Sequence, residues 1–321
     1  MDAALEILDP LVFDKLYAWA IPRPSPAAAY YGGNASYPGF ITSPLPLTAA
    51  PASVWPRDNI FRQVVSILIV TQLGATSLYF LFSALSYYFI FDRRLEYHPR
   101  FLENQVRREI KASLAAVPFI NILTLPWFLA EVRGKSLLYA DPSEYGYAWL
   151  LVSALLYMGF NDVTIYWIHR LEHHPSVYKH IHKPHHKWIV PTPWAALAFH
   201  PLDGYVQSLP YHIFPFICPI QRYLYLALFV AVQIWTILIH DGDMFTGHWF
   251  EKFINSPAHH TLHHIYFNVN YGQYFTWADN YFGSHRTPDP SLDPLHDALK
   301  VMRARGLVDE AGNPIAKNKK E

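Results

Sequence analysis

Residues 63 to 91, QVVSILIVTQLGATSLYFLFSALSYYFIF, run for 29 positions without an Asp, Glu, Lys or Arg. That exceeds the roughly 20 apolar residues a helix needs to cross a bilayer, so a membrane helix is expected here and the remaining chain has to be compatible with one. Three further stretches are. Residues 112–130 are uncharged and carry Pro118 and Pro126, which membrane helices tolerate because neighbouring groups satisfy the freed carbonyls. Residues 145–168 hold one charge, Asp162, and residues 204–239 hold one, Arg222. The last stretch suits either two short passes turning near Pro219 and Arg222 or a re-entrant hairpin. Composition agrees, with charged residues at 16% against about 25% in soluble proteins. The 25 basic and 25 acidic residues balance, which excludes a nucleic-acid partner held by bulk positive charge. The single cysteine, Cys218, excludes an internal disulfide and any cysteine-rich metal site.

Lysine and arginine counts beside the apolar runs set orientation. The loop 92–111 carries Arg93, Arg94, Arg100, Arg107, Arg108 and Lys111, whereas residues 1–60 carry only Lys15, Arg23 and Arg57. The loop is therefore expected on the cytosolic side, with residues 1–60 as a luminal segment. A glycosylation sequon at Asn34-Ala-Ser36 falls on that outer side. Residues 61–288 are expected to form one membrane-embedded catalytic domain and residues 289–321 a cytosolic tail. That tail ends in Lys319-Lys320-Glu321, a short pattern resembling a dilysine retrieval signal for the endoplasmic reticulum.

Histidine is the unusual residue: 18 in all, 15 of them between His169 and His264. They gather in three boxes, His169-Arg-Leu-Glu-His173-His174, His182-Lys-Pro-His185-His186 and His260-Thr-Leu-His263-His264. At this histidine frequency the pattern H-x-x-H-H is expected about 0.06 times by chance and occurs twice. Positions i, i+3 and i+4 share a helix face, so His260, His263 and His264 are expected to converge on one centre, on a helix begun by Ser256 and Pro257. His174 lies about 140° round from His169 on an ideal helix; it serves a second ion, or the helix breaks before Pro175. Imidazole suits iron, zinc, copper or nickel, and eight or nine histidines point to two ions rather than one. His240, where the chain leaves the last apolar run, is a further candidate ligand. His180, His200, His248 and His259 fit hydrogen-bonding support as well as ligation. Asp162, seven residues before His169, shares its helix face and either orients it or simply sits at the membrane interface. His98, His212, His285 and His296 read as ordinary surface or core histidines. No nicotinamide, flavin, nucleotide or covalent haem motif is visible, so electrons for any redox step must come from another protein.

The boxes, with His182-Lys-Pro-His185-His186-Lys-Trp188-Ile-Val-Pro191-Thr-Pro193 and Phe199-His200-Pro201-Leu-Asp203-Gly204, resemble the fatty acid hydroxylase superfamily. Gln207 to Phe216 and Tyr266-Phe-Asn268-Val-Asn270-Tyr271-Gly272-Gln273 are similar to fungal sterol C5-desaturases, and the likeness runs from about Asp162 to Arg286. The resemblance implies a non-haem di-iron centre held by His169, His173, His174, His182, His185, His186, His240, His260, His263 and His264. It also implies electrons from cytochrome b5, O2 as oxidant, a delta-7 sterol from the bilayer as substrate and a 5,7-diene as product, in the endoplasmic reticulum membrane. One departure is Glu172, where the family's first box commonly has an apolar residue; it is an added carboxylate near the metals or a surface charge, with the surface expected. Fatty acyl or sterol C4-methyl hydroxylation is the alternative within the superfamily, and metal transport a remote one outside it. The fold expected is an all-α integral membrane protein of about four transmembrane helices or hairpins with a cytosolic histidine-rich metal-binding cap.

Overall fold

The computed structural model describes residues 1–23 and 52–315. The Asn34 sequon and the Lys319-Lys320 pair lie outside the described residues.

Each uncharged run forms a helix. Helices α1 (Asp2–Leu8) and α2 (Asp14–Ala20) flank a π-helical turn at Asp9–Phe13. Helix α3 (Ile60–Phe89) starts where the Asn59 side chain accepts from the Phe61 and Arg62 amides. Helix α4 (Gln105–Val132) passes unbroken through Pro118 and Pro126, and α5 (Tyr147–Glu172) follows. These three, at 30, 28 and 26 residues, are long and apolar enough to cross a membrane. In their most apolar windows only 22 to 33% of residues are buried. Such helices expose their greasy faces, Leu73, Phe119 and Leu151 among them, and the solvent that tolerates this is lipid.

The stretch 204–239 is a helical hairpin, α7 (Pro201–Ile217) and α8 (Arg222–Leu238) after the single turn α6 (Pro175–Tyr178). Each arm has 17 residues, about 26 Å at 1.5 Å per residue, short of a hydrocarbon core of about 30 Å. Its turn is pinned by the parallel pairing of β2 (Ile220–Gln221) with β1 (Leu138–Tyr139) and by the Trp149 indole donating to the Pro219 carbonyl at 3.0 Å. Residues 1–20 pack on the bundle, with Leu5, Phe13 and Tyr17 against Ile67 and Phe128. There Arg62 pairs with Asp9 at 2.7 Å and Asp14 at 2.6 Å.

The end of α3, the start of α4, the end of α5 and the hairpin's two termini meet at one end of the bundle, and residues 173–200 and 239–288 cover it. Buried polar groups lock this cover down. The hydroxyls of Tyr79 and Ser113 donate to the Trp194 carbonyl at 2.8 and 3.2 Å, and Ser83 donates to the Pro193 carbonyl at 3.1 Å. Glu109 accepts from Thr192 Oγ1 at 2.5 Å and from the Gln105 amide at 2.7 Å. The chain then forms α9 (Pro257–Tyr266), α10 (Trp277–Tyr281) and α11 (Leu295–Ala304). Leu295 of α11 packs beside Phe91 and Leu95, which brings the tail onto the 92–111 loop.

Candidate metal centre

Nine of the ten candidate ligands gather at this covered end, in two groups. His169 and His173 from the end of α5, His182 and His186 from the turns after α6, and His263 from α9 form the first. One ring nitrogen of each lies within 4.8 Å of those of the others. His182 Nε2 is 3.2 Å from His169 Nε2 and 3.1 Å from His186 Nε2, which is 3.0 Å from His263 Nε2. His185, His240, His260 and His264 form the second group. There His240 Nε2 is 3.4 Å from His185 Nε2 and 3.1 Å from His260 Nε2, which is 3.1 Å from His264 Nε2. The groups adjoin, the His186 and His264 rings lying 4.8 Å apart.

Hydrogen bonds at the far side of five of the nine rings fix where the protons sit. Nδ1 faces a backbone carbonyl in His169 (Tyr271, 3.0 Å), His263 (Val269, 2.7 Å), His264 (Trp188, 2.9 Å) and His240 (Thr236, 2.6 Å). A carbonyl only accepts, so Nδ1 donates and Nε2 is left with a lone pair. His182 is held the same way by Asp203, whose Oδ2 is 2.8 Å from its Nδ1. The lone pairs of His169 and His182 thus face each other at 3.2 Å, a spacing that is repulsive unless a cation stands between them. It is also the spacing of adjacent ligands that each lie about 2.1 Å from one ion. The arrangement therefore fits metal ions. Burial first, then neighbouring imidazoles, holds His185, His186, His260, His263 and His264 well below the ordinary imidazole value, and burial pushes His240 down to about 4. All are neutral at neutral pH, the form that ligates.

Several sequence expectations are corrected. His260, His263 and His264 do not share one centre: His260 and His264 enter the second group and His263 the first. At 100° per residue, positions four apart diverge by only 40°, whereas positions three and four past the start point 100° apart. His174 joins neither group; α5 ends at Glu172, and the exposed His174 side chain instead accepts from the Ser176 amide at the start of α6. The helix does break ahead of Pro175. Asp162 does not touch His169; its Oδ1 accepts from the Tyr274 and Phe275 amides at 2.8 and 3.1 Å. Glu172 is no surface charge: it is 4% exposed, with Oε2 3.9 Å from His182 Nδ1. His180, His200, His248 and His259 lie outside both groups; His200 and His259 cap α7 and α9 instead. The role of Asp203 went unread in the sequence, although a carboxylate behind a ligating histidine is a recurrent arrangement. Its position in α7, seventeen residues after His186, carries no periodic signal.

An apolar cavity of about 230 Å³ opens between α3, α4, α7 and α8. Val117, Phe128 and Phe229 line it, with His212 and Gln233 among its few polar groups. Phe199 lines it as well, and the centroid of its ring lies 6.0 Å from that of His185. A cavity within a membrane bundle thus abuts the second histidine group.

The fatty acid hydroxylase family matches residues 154–284, which contain all nine histidines of the two groups. A Delta(7)-sterol 5(6)-desaturase of Aspergillus fumigatus is 69% identical across the whole of both chains, and one of Gibberella zeae is 62% identical, again across the whole of both. The human lathosterol oxidase is 55% identical over 74% of this chain and 80% of its own length. No solved structure matches. The chain belongs to the fatty acid hydroxylase family and, within it, to the Delta(7)-sterol 5(6)-desaturases.

Proposed function

We infer that this protein is a sterol C5-desaturase, an oxidoreductase that removes one hydrogen each from C5 and C6 of a delta-7 sterol. The balance is one sterol, one O2, two electrons and two protons giving a 5,7-diene and two waters. The observation that carries this reading is the pairing of nine histidines in two groups with an apolar cavity in the membrane bundle whose lining residue Phe199 packs against His185.

His169, His173, His182, His186 and His263 would hold one iron, and His185, His240, His260 and His264 the other. When bound, the irons supply reduction of O2 and cleavage of an unactivated C–H bond. The chain does the rest. Asp203 keeps the His182 Nδ1 proton in place, and the Tyr271, Val269, Trp188 and Thr236 carbonyls do the same for their partners, so these five ligands are held with Nε2 free to bind metal. The cavity takes the flat sterol body from the bilayer and excludes water from the reacting edge. Phe199, between cavity and His185, sets how close that edge comes.

Cytochrome b5 is the proposed electron donor. Arg100, Arg107, Arg108 and Lys111 are exposed in the 92–111 region and offer an acidic donor a docking face; reversing their charges should slow turnover with cytochrome b5. The proposed setting is the endoplasmic reticulum membrane, with the covered end of the bundle in the cytosol.

Sterol profiling by gas chromatography and mass spectrometry tests the reading in yeast lacking its own C5-desaturase. The intact gene should restore 5,7-diene sterols and a His263→Ala version should not. Delta-7 sterols persisting with the intact gene, expressed and inserted, would overturn it in favour of hydroxylation.

A further inference from the structure

Between His240 and His260, both in the second group, the chain makes an excursion that the metal centre does not use. Residues 244–253, MFTGHWFEKF, contain four aromatic residues, and three of them, Phe245, Trp249 and Phe253, are exposed at 63%, 77% and 61%. Beside this excursion lies α10, with Trp277 and Tyr281 outward; Phe253, Trp277 and Tyr281 line one shallow depression with Lys252. A water-soluble surface would not gather so many large apolar side chains.

Charge in these two segments is sorted by direction. Glu251 is buried and accepts from the Gly247 amide at 2.8 Å. Asp279 is buried and accepts from the Tyr271 and Gly272 amides, both at 2.8 Å. Lys252 is left outward. A surface that turns its carboxylates in and presents Trp, Tyr, Phe and one Lys has the composition of a membrane interface, where aromatic rings sit at headgroup level and lysine stems reach toward phosphate.

The patch is also continuous with the lipid-facing surface of a spanning helix. Phe282, next to Tyr281, packs on Trp167 and Tyr166 of α5 with ring centroids 4.6 and 5.4 Å away. Trp167, itself exposed, precedes the end of α5 by five residues, about 8 Å along the axis. The patch therefore sits at the depth where α5 leaves the apolar layer.

We propose that residues 244–253 and α10 form an interfacial foot that inserts into the leaflet around α5, with Trp249, Phe253 and Tyr281 among the acyl chains and Lys252 at the headgroup phosphates. Because His240 and His260 stand at the two ends of the excursion, this lipid contact anchors the second histidine group to the membrane plane. The proposal is independent of which reaction the centre performs.

The full chain carries one cysteine, so a Cys218→Ser background accepts single spin labels. Labels at Trp249→Cys and Tyr281→Cys, and a control at exposed Lys179→Cys in the second-box segment, would be read in phosphatidylcholine nanodiscs for relaxation by O2 against a water-soluble nickel chelate. The expected result is severalfold stronger relaxation by O2 than by nickel at 249 and 281 and the reverse order at 179. Nickel dominating at both 249 and 281 would overturn the proposal and leave the patch to a soluble protein partner. Spin–spin broadening at 249 that grows with the number of chains per disc would overturn it in favour of a second copy of the chain.

Discussion

The two histidine groups are built from the same sequence pattern and differ in what stands behind them. In the second box His182 and His186, four apart, go to the first group and His185 to the second; in the third box His260 and His264 go to the second and His263 to the first. Each H-x-x-H-H segment therefore feeds both groups, crosswise. Behind the first group lie two buried carboxylates, Asp203 and Glu172. Behind the second lie the neutral carbonyls of Thr236 and Trp188 and the Phe199 ring with its cavity. One group is backed by carboxyl groups and the other by an aromatic ring beside an apolar cavity, so equal damage to the two should have unequal consequences.

The largest effects test the crosswise division. His182→Ala with His186→Ala should empty the first group, and His260→Ala with His264→Ala the second. Both pairs should abolish 5,7-diene formation, while the purified proteins keep about one iron per chain by elemental analysis instead of two, since ligand loss acts locally when the other ligand set is complete. A double variant of either box that loses all its iron would break the division into separate sites.

Asp203→Asn comes next. It preserves the shape of the side chain but weakens its hold on His182 Nδ1, and Gln207 Nε2, now 2.7 Å from Asp203 Oδ1, meets an amide instead of a carboxylate. Loss of such a partner costs about 10- to 100-fold in metal affinity or activity. The comparison predicts that the loss falls on one iron only, visible as a single changed component in a Mössbauer spectrum; two changed components would mean that the groups act as one unit.

Gly204→Ala probes the cavity side. A Cβ at Gly204 would overlap Phe199 Cε2 and press on Ile120, driving the ring toward His185 or into the cavity. Overpacking of this kind costs about 1–3 kcal/mol, so KM for sterol should rise about tenfold with iron content unchanged. Phe199→Leu in the same chain should recover most of the loss. A Gly204→Ala protein with normal KM would take Phe199 out of substrate positioning.

Much of this was legible from the chain. Runs without charge became helices because an uncharged stretch of that length has one stable solution in lipid, and the turn near Pro219 and the break before Pro175 followed from proline chemistry. Eight of the nine gathered histidines stand out by their clustering in the boxes, and the ninth, His240, by its place at the end of the last apolar run. What stayed hidden depends on the mutual rotation of three separated segments: the crosswise division, the diversion of His174 to cap α6, and the use of Asp162 to hold the Tyr274 and Phe275 amides instead of His169. Periodicity says which residues share a face and is silent on what that face meets. Glu172 was misread for the same reason, because a charged residue at the end of a membrane helix ordinarily reaches water.

Glu172 therefore gives the smallest and most discriminating test. Both of its oxygens are buried without a hydrogen-bond partner, and the His182 proton that it approaches at 3.9 Å is already given to Asp203 at 2.8 Å. Glu172→Gln removes no hydrogen bond, so turnover should stay within about threefold of the parent, a change of less than about 1 kcal/mol. It also removes an unsatisfied buried carboxylate, whose desolvation costs about 1–3 kcal/mol, so the melting temperature should rise where that of Asp203→Asn falls. If Glu172→Gln instead lost activity as severely as Asp203→Asn, the two carboxylates would be acting together on His182, and the charge behind the first group would be a shared pair.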